Sequence, residues 1–132
     1  PHVRYHWLGT HDNGGRQADE WFEAGLAAAS AVLADPDRKV VIHCHMGVNR
    51  GPSLAYAVLL SMGLDTVAAL ETIRRARPIA GIIYAEDAVD WWHRRIGTPE
   101  TLRYRERMRA RTWLDEHDND VAWIVSRLHL AG

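Results

Sequence analysis

The sequence predicts an α/β fold in which a small parallel or mixed sheet is flanked by helices. Lys39–His43 is a compact, β-branched run of the kind found in buried parallel strands. Val3–Leu8 alternates apolar and polar side chains, as a strand does when one of its faces is buried. The segments follow the order strand, helix, strand, helix and then further helices, which is typical of a parallel sheet covered by helices.

Six helices are predicted from the spacing of apolar residues, at residues 17–34, 51–61, 65–77, 83–96, 98–113 and 119–130. In the first helix, apolar side chains from Phe22 to Leu33 recur on one face, and Pro36 follows its end. The second is rich in small apolar residues, which is typical of a buried helix. Asp65 is predicted to cap the third helix, which Pro78 ends.

The composition is that of one globular domain. The chain has 132 residues, of which 47% are hydrophobic and 25% charged, with a net charge of −1. A charge so close to zero argues against a general nucleic-acid binder, and no apolar run is long enough to cross a membrane. Cys44 is the single cysteine, which excludes an internal disulfide and a zinc site of several cysteines. Because a single thiol favours a reducing compartment, we expect a cytoplasmic protein.

The segment from Val41 to Arg50 has the pattern of a phosphate-binding loop. It places Cys44 at the end of the predicted strand and Arg50 at the start of the next helix. The backbone N–H groups between them can turn inward as an anion nest, to which the helix N-terminus adds its positive end. Gly47 permits a backbone conformation that other residues avoid, and Arg50 can bind two phosphoryl oxygens at once. The predicted phosphate-binding residues are His45, Met46, Gly47, Val48, Asn49 and Arg50.

The thiol of Cys44 is expected at the bottom of this loop, where the same donors stabilise its thiolate. A thiolate in that position is a nucleophile toward phosphorus. We expect the preceding His43 to orient the loop through hydrogen bonds. Successive side chains of a strand point to opposite faces, so His43, Cys44 and His45 cannot converge, and we expect no metal site.

The His43-Cys44-x₅-Arg50 pattern resembles the active-site motif of the cysteine-dependent protein phosphatases, most closely their dual-specificity group. These enzymes carry a catalytic aspartate on a loop that precedes the cysteine by one helix and one strand, and Asp12 has that place here. The segment Ile73–Pro78 is similar to the Arg-rich helix end that follows their catalytic helix. The resemblance covers about residues 3–95 and implies the cysteine-phosphatase fold.

This resemblance implies a phosphomonoester hydrolase that needs no cofactor and acts on phosphoproteins, at phosphotyrosine or at phosphoserine and phosphothreonine. Cys44 would attack the phosphoryl group and form a cysteinyl-phosphate, while Arg50 and the loop amides hold its oxygens. Asp12 would protonate the leaving group and then assist the attack of water. Asp19 is the competing general acid, but its place in the first turn of a helix is better explained by the helix dipole.

Gly51 departs from the family pattern, which has a serine or threonine directly after the arginine. That hydroxyl assists the breakdown of the cysteinyl-phosphate, and Ser53 lies two residues further on at a different angle. One alternative is therefore a weakly active protein or a phosphate-binding pseudophosphatase. Another is an RNA 5′-phosphatase or a phosphoinositide phosphatase. The Asn49-Arg50 pair resembles RNA-directed members, whereas the loop lacks the lysine that lipid-directed members tend to have.

We expect a catalytic core over residues 1–97, shorter at its front than related cores, and a helical extension over residues 98–132. Trp113 and Trp123 are expected to pack this extension on the core or on a second subunit. The partner implied is a phosphorylated protein or another phosphomonoester, with nucleic acid disfavoured by the charge, and the sequence carries no signal for an oligomeric state.

An arginine-rich segment, residues 94–111, has two interpretations. Its residues Arg103, Arg107 and Arg111 share one helical face. They form either a docking face for an anionic substrate or, as we favour, a solvated face paired with the acidic residues at 115–120.

Overall fold

The computed structural model of the chain consists of five α-helices in the part that it describes. The structure describes residues 3–131, with side chains for residues 3–117. The helices are α1 (Asp19–Leu33), α2 (Arg50–Ser61), α3 (Thr66–Ala76), α4 (Ala85–Arg95) and α5 (Glu100–Ala131). As far as the start of α5, these bounds confirm the predicted helices to within two residues.

The prediction of an α/β fold with a small parallel sheet is wrong, because residues 3–131 contain helices and no strand. Val3–Leu8 and Lys39–His43 approach each other, with 6.2 Å between the ring centroids of Tyr5 and His43, but they form no ladder. Val41, at the centre of the β-branched run, is 83% exposed. A β-branched pattern reports how well side chains fit a half-buried pleated surface, and without a paired neighbour it does not make a strand.

Helix α2 lies at the centre of the fold and packs against α1, α3 and α4. Its residues Tyr56, Ala57 and Leu60 are almost fully buried, which agrees with the predicted buried helix. The core around them is completed by the buried side chains of Phe22, Leu70, Ile82, Val89 and Trp91. The loop before α2 therefore leads into a helix that packs against three others.

Helix α5 runs unbroken through the region where two helices were predicted. No proline or glycine interrupts residues 100–131, so the acidic stretch at 115–120 does not end the helix. Ala110 and Trp113 belong to the core, which attaches α5 to α3 and α4. The predicted packing of Trp123 lies outside the described side chains. Among the described residues, no helix is both long and apolar enough to span a membrane.

The arginine row of α5 faces α4. Arg103 Nε and Arg107 Nη1 lie 3.3 and 3.8 Å from Oδ1 of Asp90, a carboxylate that is 10% exposed. Arg111 pairs with Glu86 of α4 at 3.1 Å and with Asp115 at 3.8 Å. All three arginines thus bind carboxylates of α4, and among the described side chains of the acidic stretch only Asp115 is paired with one of them, so the row holds α5 on α4.

Candidate active site

The loop between Cys44 and Arg50 leads directly into the N-terminus of α2. Cys44 is half-buried and has a free thiol. A Cβ atom added to Gly51 would lie 3.2 Å from the backbone nitrogen of Cys44 and 3.3 Å from Cα of His43. Glycine at this position therefore lets the first turn of α2 approach the backbone of the cysteine closely. This packing gives a structural reason for the departure from the family pattern.

The shape of the loop is fixed from outside through its carbonyl groups. Gly47 has a positive φ of 67°, which favours glycine. Arg77 Nε donates to the carbonyl of Gly47 at 2.7 Å, and its Nη2 donates to the carbonyl of Met46 at 3.2 Å. The carbonyl of Val48 accepts the backbone N–H of Gly81 at 2.8 Å.

Three consecutive carbonyls of the loop are thus bound by groups outside it. In a trans peptide the N–H points opposite to the C=O. The N–H groups of Gly47, Val48 and Asn49 therefore face away from Arg77 and Gly81. This is the arrangement that an anion nest needs.

Asp12 lies beside Arg50. Asp12 Oδ2 is 3.8 Å from Nε of Arg50, and both side chains are about one-third exposed, at 31% and 29%. Arg50 Nη1 donates to the carbonyl of Thr10 at 3.2 Å, which joins the loop of Asp12 to the N-terminus of α2. Nε of Arg50 is buried and has no hydrogen-bond partner among the described residues. Such a donor is available to an oxygen atom of a bound anion.

Tyr84 is a site residue that the sequence did not indicate. Its hydroxyl lies 2.6 Å from Oδ1 of Asp12 and also accepts the backbone N–H of Gly14 at 3.1 Å. Its backbone N–H donates to Oγ of the fully buried Ser53 at 3.3 Å. Tyr84 follows Asp12 by 72 residues, and no spacing rule relates two positions so far apart in the chain.

The other predicted site residues lie at the edges of this arrangement. His43, His45 and Met46 are exposed, and His43 has its ring near that of Tyr5. Asp19 is held by Arg94 through hydrogen bonds of 2.7 and 2.8 Å. The hydrogen bond from Arg94 lowers the pKa of Asp19 despite the opposing effect of its partial burial. Asp19 is therefore an ion-pair partner on α1, whereas Asp12 lies next to Arg50.

The arrangement brings together the thiol of Cys44, a loop whose carbonyls are bound by groups outside it, the guanidinium of Arg50 and the carboxylate of Asp12. These groups lie near the N-terminus of α2. Comparison with known proteins supports the cysteine-dependent phosphatases as a superfamily, and no finer group. PRL-1 phosphatase from Drosophila melanogaster is 37% identical to this chain over 59 residues, which cover 45% of the chain and 32% of that protein. The chain therefore matches about a third of the length of this relative. No family model and no solved structure matches the sequence.

Proposed function

We propose that this protein is a phosphomonoester hydrolase that works through a cysteinyl-phosphate on Cys44. The observation that carries the proposal is the position of Asp12, whose Oδ2 lies 3.8 Å from Nε of Arg50. Arg50 ends the loop that begins with the free thiol of Cys44. The similarity to PRL-1 phosphatase supports phosphatase chemistry in general. The motif resemblance supports phosphoproteins as substrates, at phosphotyrosine or at phosphoserine and phosphothreonine.

The reaction has two steps. In the first, Sγ of Cys44 attacks phosphorus, the S–P bond forms as the P–O bond breaks, and Asp12 gives its proton to the leaving oxygen. In the second, water attacks phosphorus and gives a proton to Asp12. The P–S bond then breaks, which releases inorganic phosphate and restores the thiolate. Arg50 and the loop amides bind the phosphoryl oxygens on which negative charge is spread in both transition states.

The first experiment tests the nucleophile. Hydrolysis of an aryl phosphate is measured in the presence of EDTA for the wild type and for Cys44→Ser. We expect turnover by the wild type and none by the variant. Activity that survives in Cys44→Ser, or a wild type that is inactive with phosphopeptides as well as aryl phosphates, would contradict the proposal.

The second experiment assigns the acid with a matched pair of variants. Asp12→Asn is expected to lower kcat by about 10²- to 10⁴-fold, the usual contribution of a general acid. Asp19→Asn removes an ion pair on α1 and is expected to leave kcat close to that of the wild type. The assignment is wrong if Asp19→Asn lowers kcat and Asp12→Asn does not, or if Asp12→Asn keeps the basic limb of the pH profile of kcat.

A slow second step is favoured by the surroundings of Gly51. No hydroxyl follows Arg50 directly, and Oγ of Ser53 is already bound to the backbone of Tyr84. With p-nitrophenyl phosphate, which has a good leaving group, rapid mixing should show a burst of one equivalent of p-nitrophenol per enzyme followed by a slower steady state. A linear time course without a burst would show that breakdown of the cysteinyl-phosphate does not limit turnover.

A further inference from the structure

We propose that Tyr84 is a positioning residue for the general acid and that it leaves Oδ2 of Asp12 as the oxygen that carries the transferred proton. The inference rests on the proposed function, because it concerns the acid of that same reaction. It extends that function by naming a residue beyond the motif and by distinguishing the two oxygens of the carboxyl group.

The direction of the Tyr84 hydroxyl follows from the groups that it binds. The phenol oxygen accepts the backbone N–H of Gly14 at 3.1 Å, so its single proton is free to point to Oδ1 of Asp12 at 2.6 Å. Burial, with the hydrogen bond to Asp12 as the second cause, raises the pKa of Tyr84. The phenol therefore stays protonated and remains a donor throughout the neutral range.

The ring of Tyr84 is held firmly enough to fix a catalytic group. The residue is 2% exposed, and its backbone N–H is bound to Ser53 on α2. Because α2 also begins with Arg50, Tyr84 ties Asp12 to the same helix that positions the arginine.

The loop that carries Asp12 is also held at Gln17, by contacts that do not involve Tyr84. Backbone N–H of Gln17 donates to Oδ2 of Asp87 at 2.9 Å, and the buried Gln17 side chain donates to the carbonyl of His11 at 2.7 Å. The Gln17 side chain therefore closes the loop back on His11, the backbone of Gln17 binds the loop to α4, and Tyr84 acts on a segment whose backbone is already in place.

The two oxygens of Asp12 differ in their surroundings. Oδ1 accepts from the phenol, whereas Oδ2 lies 3.8 Å from Nε of Arg50, the group that would hold the phosphoryl oxygens. When Asp12 is protonated, the proton resides on Oδ2, because Oδ1 is occupied as an acceptor. That proton passes from Oδ2 to the leaving oxygen as the P–O bond breaks, and it is replaced from water in the second step. Tyr84 keeps its own proton in both steps.

The test is Tyr84→Phe, with Tyr56→Phe as the matched control. Both tyrosines are almost fully buried and each donates one hydrogen bond, but that of Tyr56 goes to the carbonyl of Thr66 at 2.9 Å, away from the site. We expect Tyr84→Phe to lower kcat/KM, which reports formation of the cysteinyl-phosphate, about tenfold or more for phenyl phosphate, a fraction of what a general acid contributes. For p-nitrophenyl phosphate, whose leaving group needs little protonation, we expect a much smaller change in kcat/KM. Inhibition by inorganic phosphate should stay the same.

A double-mutant cycle separates positioning from a general structural effect. In the Asp12→Asn background, Tyr84→Phe is expected to have no further effect on the rates or on their dependence on the leaving group. The inference is overturned if Tyr84→Phe slows both substrates equally, if its effect persists without Asp12, or if it matches Tyr56→Phe. A wild type without any turnover that depends on Cys44 would instead remove the proposed function, and this inference with it.

Discussion

Replacement of Gly47 by alanine is the sharpest test of how the loop after Cys44 keeps its shape. Gly47 has a φ of 67°, and a Cβ atom there would lie 2.7 Å from Nη2 and 3.0 Å from Nε of Arg77. The variant therefore introduces backbone strain and pushes away the guanidinium that binds the carbonyls of Met46 and Gly47. Gly63, with a φ of 94° and nothing within 4 Å of its added Cβ, is a control that introduces the strain alone.

The two variants should differ by the two hydrogen bonds of Arg77. A non-glycine residue with positive φ costs about 1–2 kcal/mol, and this cost is common to Gly47→Ala and Gly63→Ala. Each hydrogen bond of the exposed Arg77 contributes about 0.5–1 kcal/mol after competition from water. We therefore expect Gly63→Ala to lower the free energy of unfolding by about 1–2 kcal/mol and Gly47→Ala by about 2–4 kcal/mol.

Urea unfolding gives the stability of each variant, and calorimetry with inorganic phosphate gives the affinity of the loop. Only Gly47→Ala should weaken phosphate binding, by about tenfold if the loop loses 1.4 kcal/mol of its preorganisation. Equal stabilities together with equal phosphate affinities would refute the reasoning, because Arg77 would then contribute nothing to the loop.

Two further predictions concern charges outside the site. The hydrogen bond from Arg109, opposed by partial burial and aided by the N–H groups of Ala68 and Val67, lowers the pKa of Asp65 to about 2. This carboxylate should therefore stabilise the fold fully above about pH 4 and lose its contribution as the pH falls toward 2. Asp65→Asn should reduce the pH dependence of urea unfolding in that range by about 1 kcal/mol, since the exposed pair is screened, and an unchanged dependence would refute the assignment. Asp90→Asn should lower the free energy of unfolding by about 2–4 kcal/mol, because it leaves half-buried arginines without their carboxylate. Glu23→Gln weakens the exposed pair with Arg95 but keeps an oxygen that can accept from the indole N–H of Trp91, so it should cost under about 1 kcal/mol in the same urea titration. Equal losses would contradict the role given to Asp90.

The helices could be predicted because their signals are local. The side chain of Asp65 accepts from Val67 and Ala68 at the start of α3, as its cap position predicted. The sheet could not be predicted correctly, because whether Lys39–His43 becomes a strand depends on a partner elsewhere in the chain. The motif from Cys44 to Arg50 could be recognised because, like a helix signal, it lies within a short continuous stretch of the sequence. The contacts of Tyr84 with Asp12 and of Arg77 with the loop depend on the tertiary fold and have no local signal.

The absence of a strand before Cys44 in the described residues changes what holds the phosphate-binding loop. In a parallel sheet, ladder hydrogen bonds on both sides would fix the strand end from which such a loop starts. Here Val41 is exposed, so the preceding segment gives little restraint. The loop is held instead by its later half, through Arg77, the backbone of Gly81 and the close approach of Gly51 to the cysteine. Substitutions at these three positions should therefore disturb phosphate binding more than substitutions in residues 39–42, although the latter precede the thiol directly.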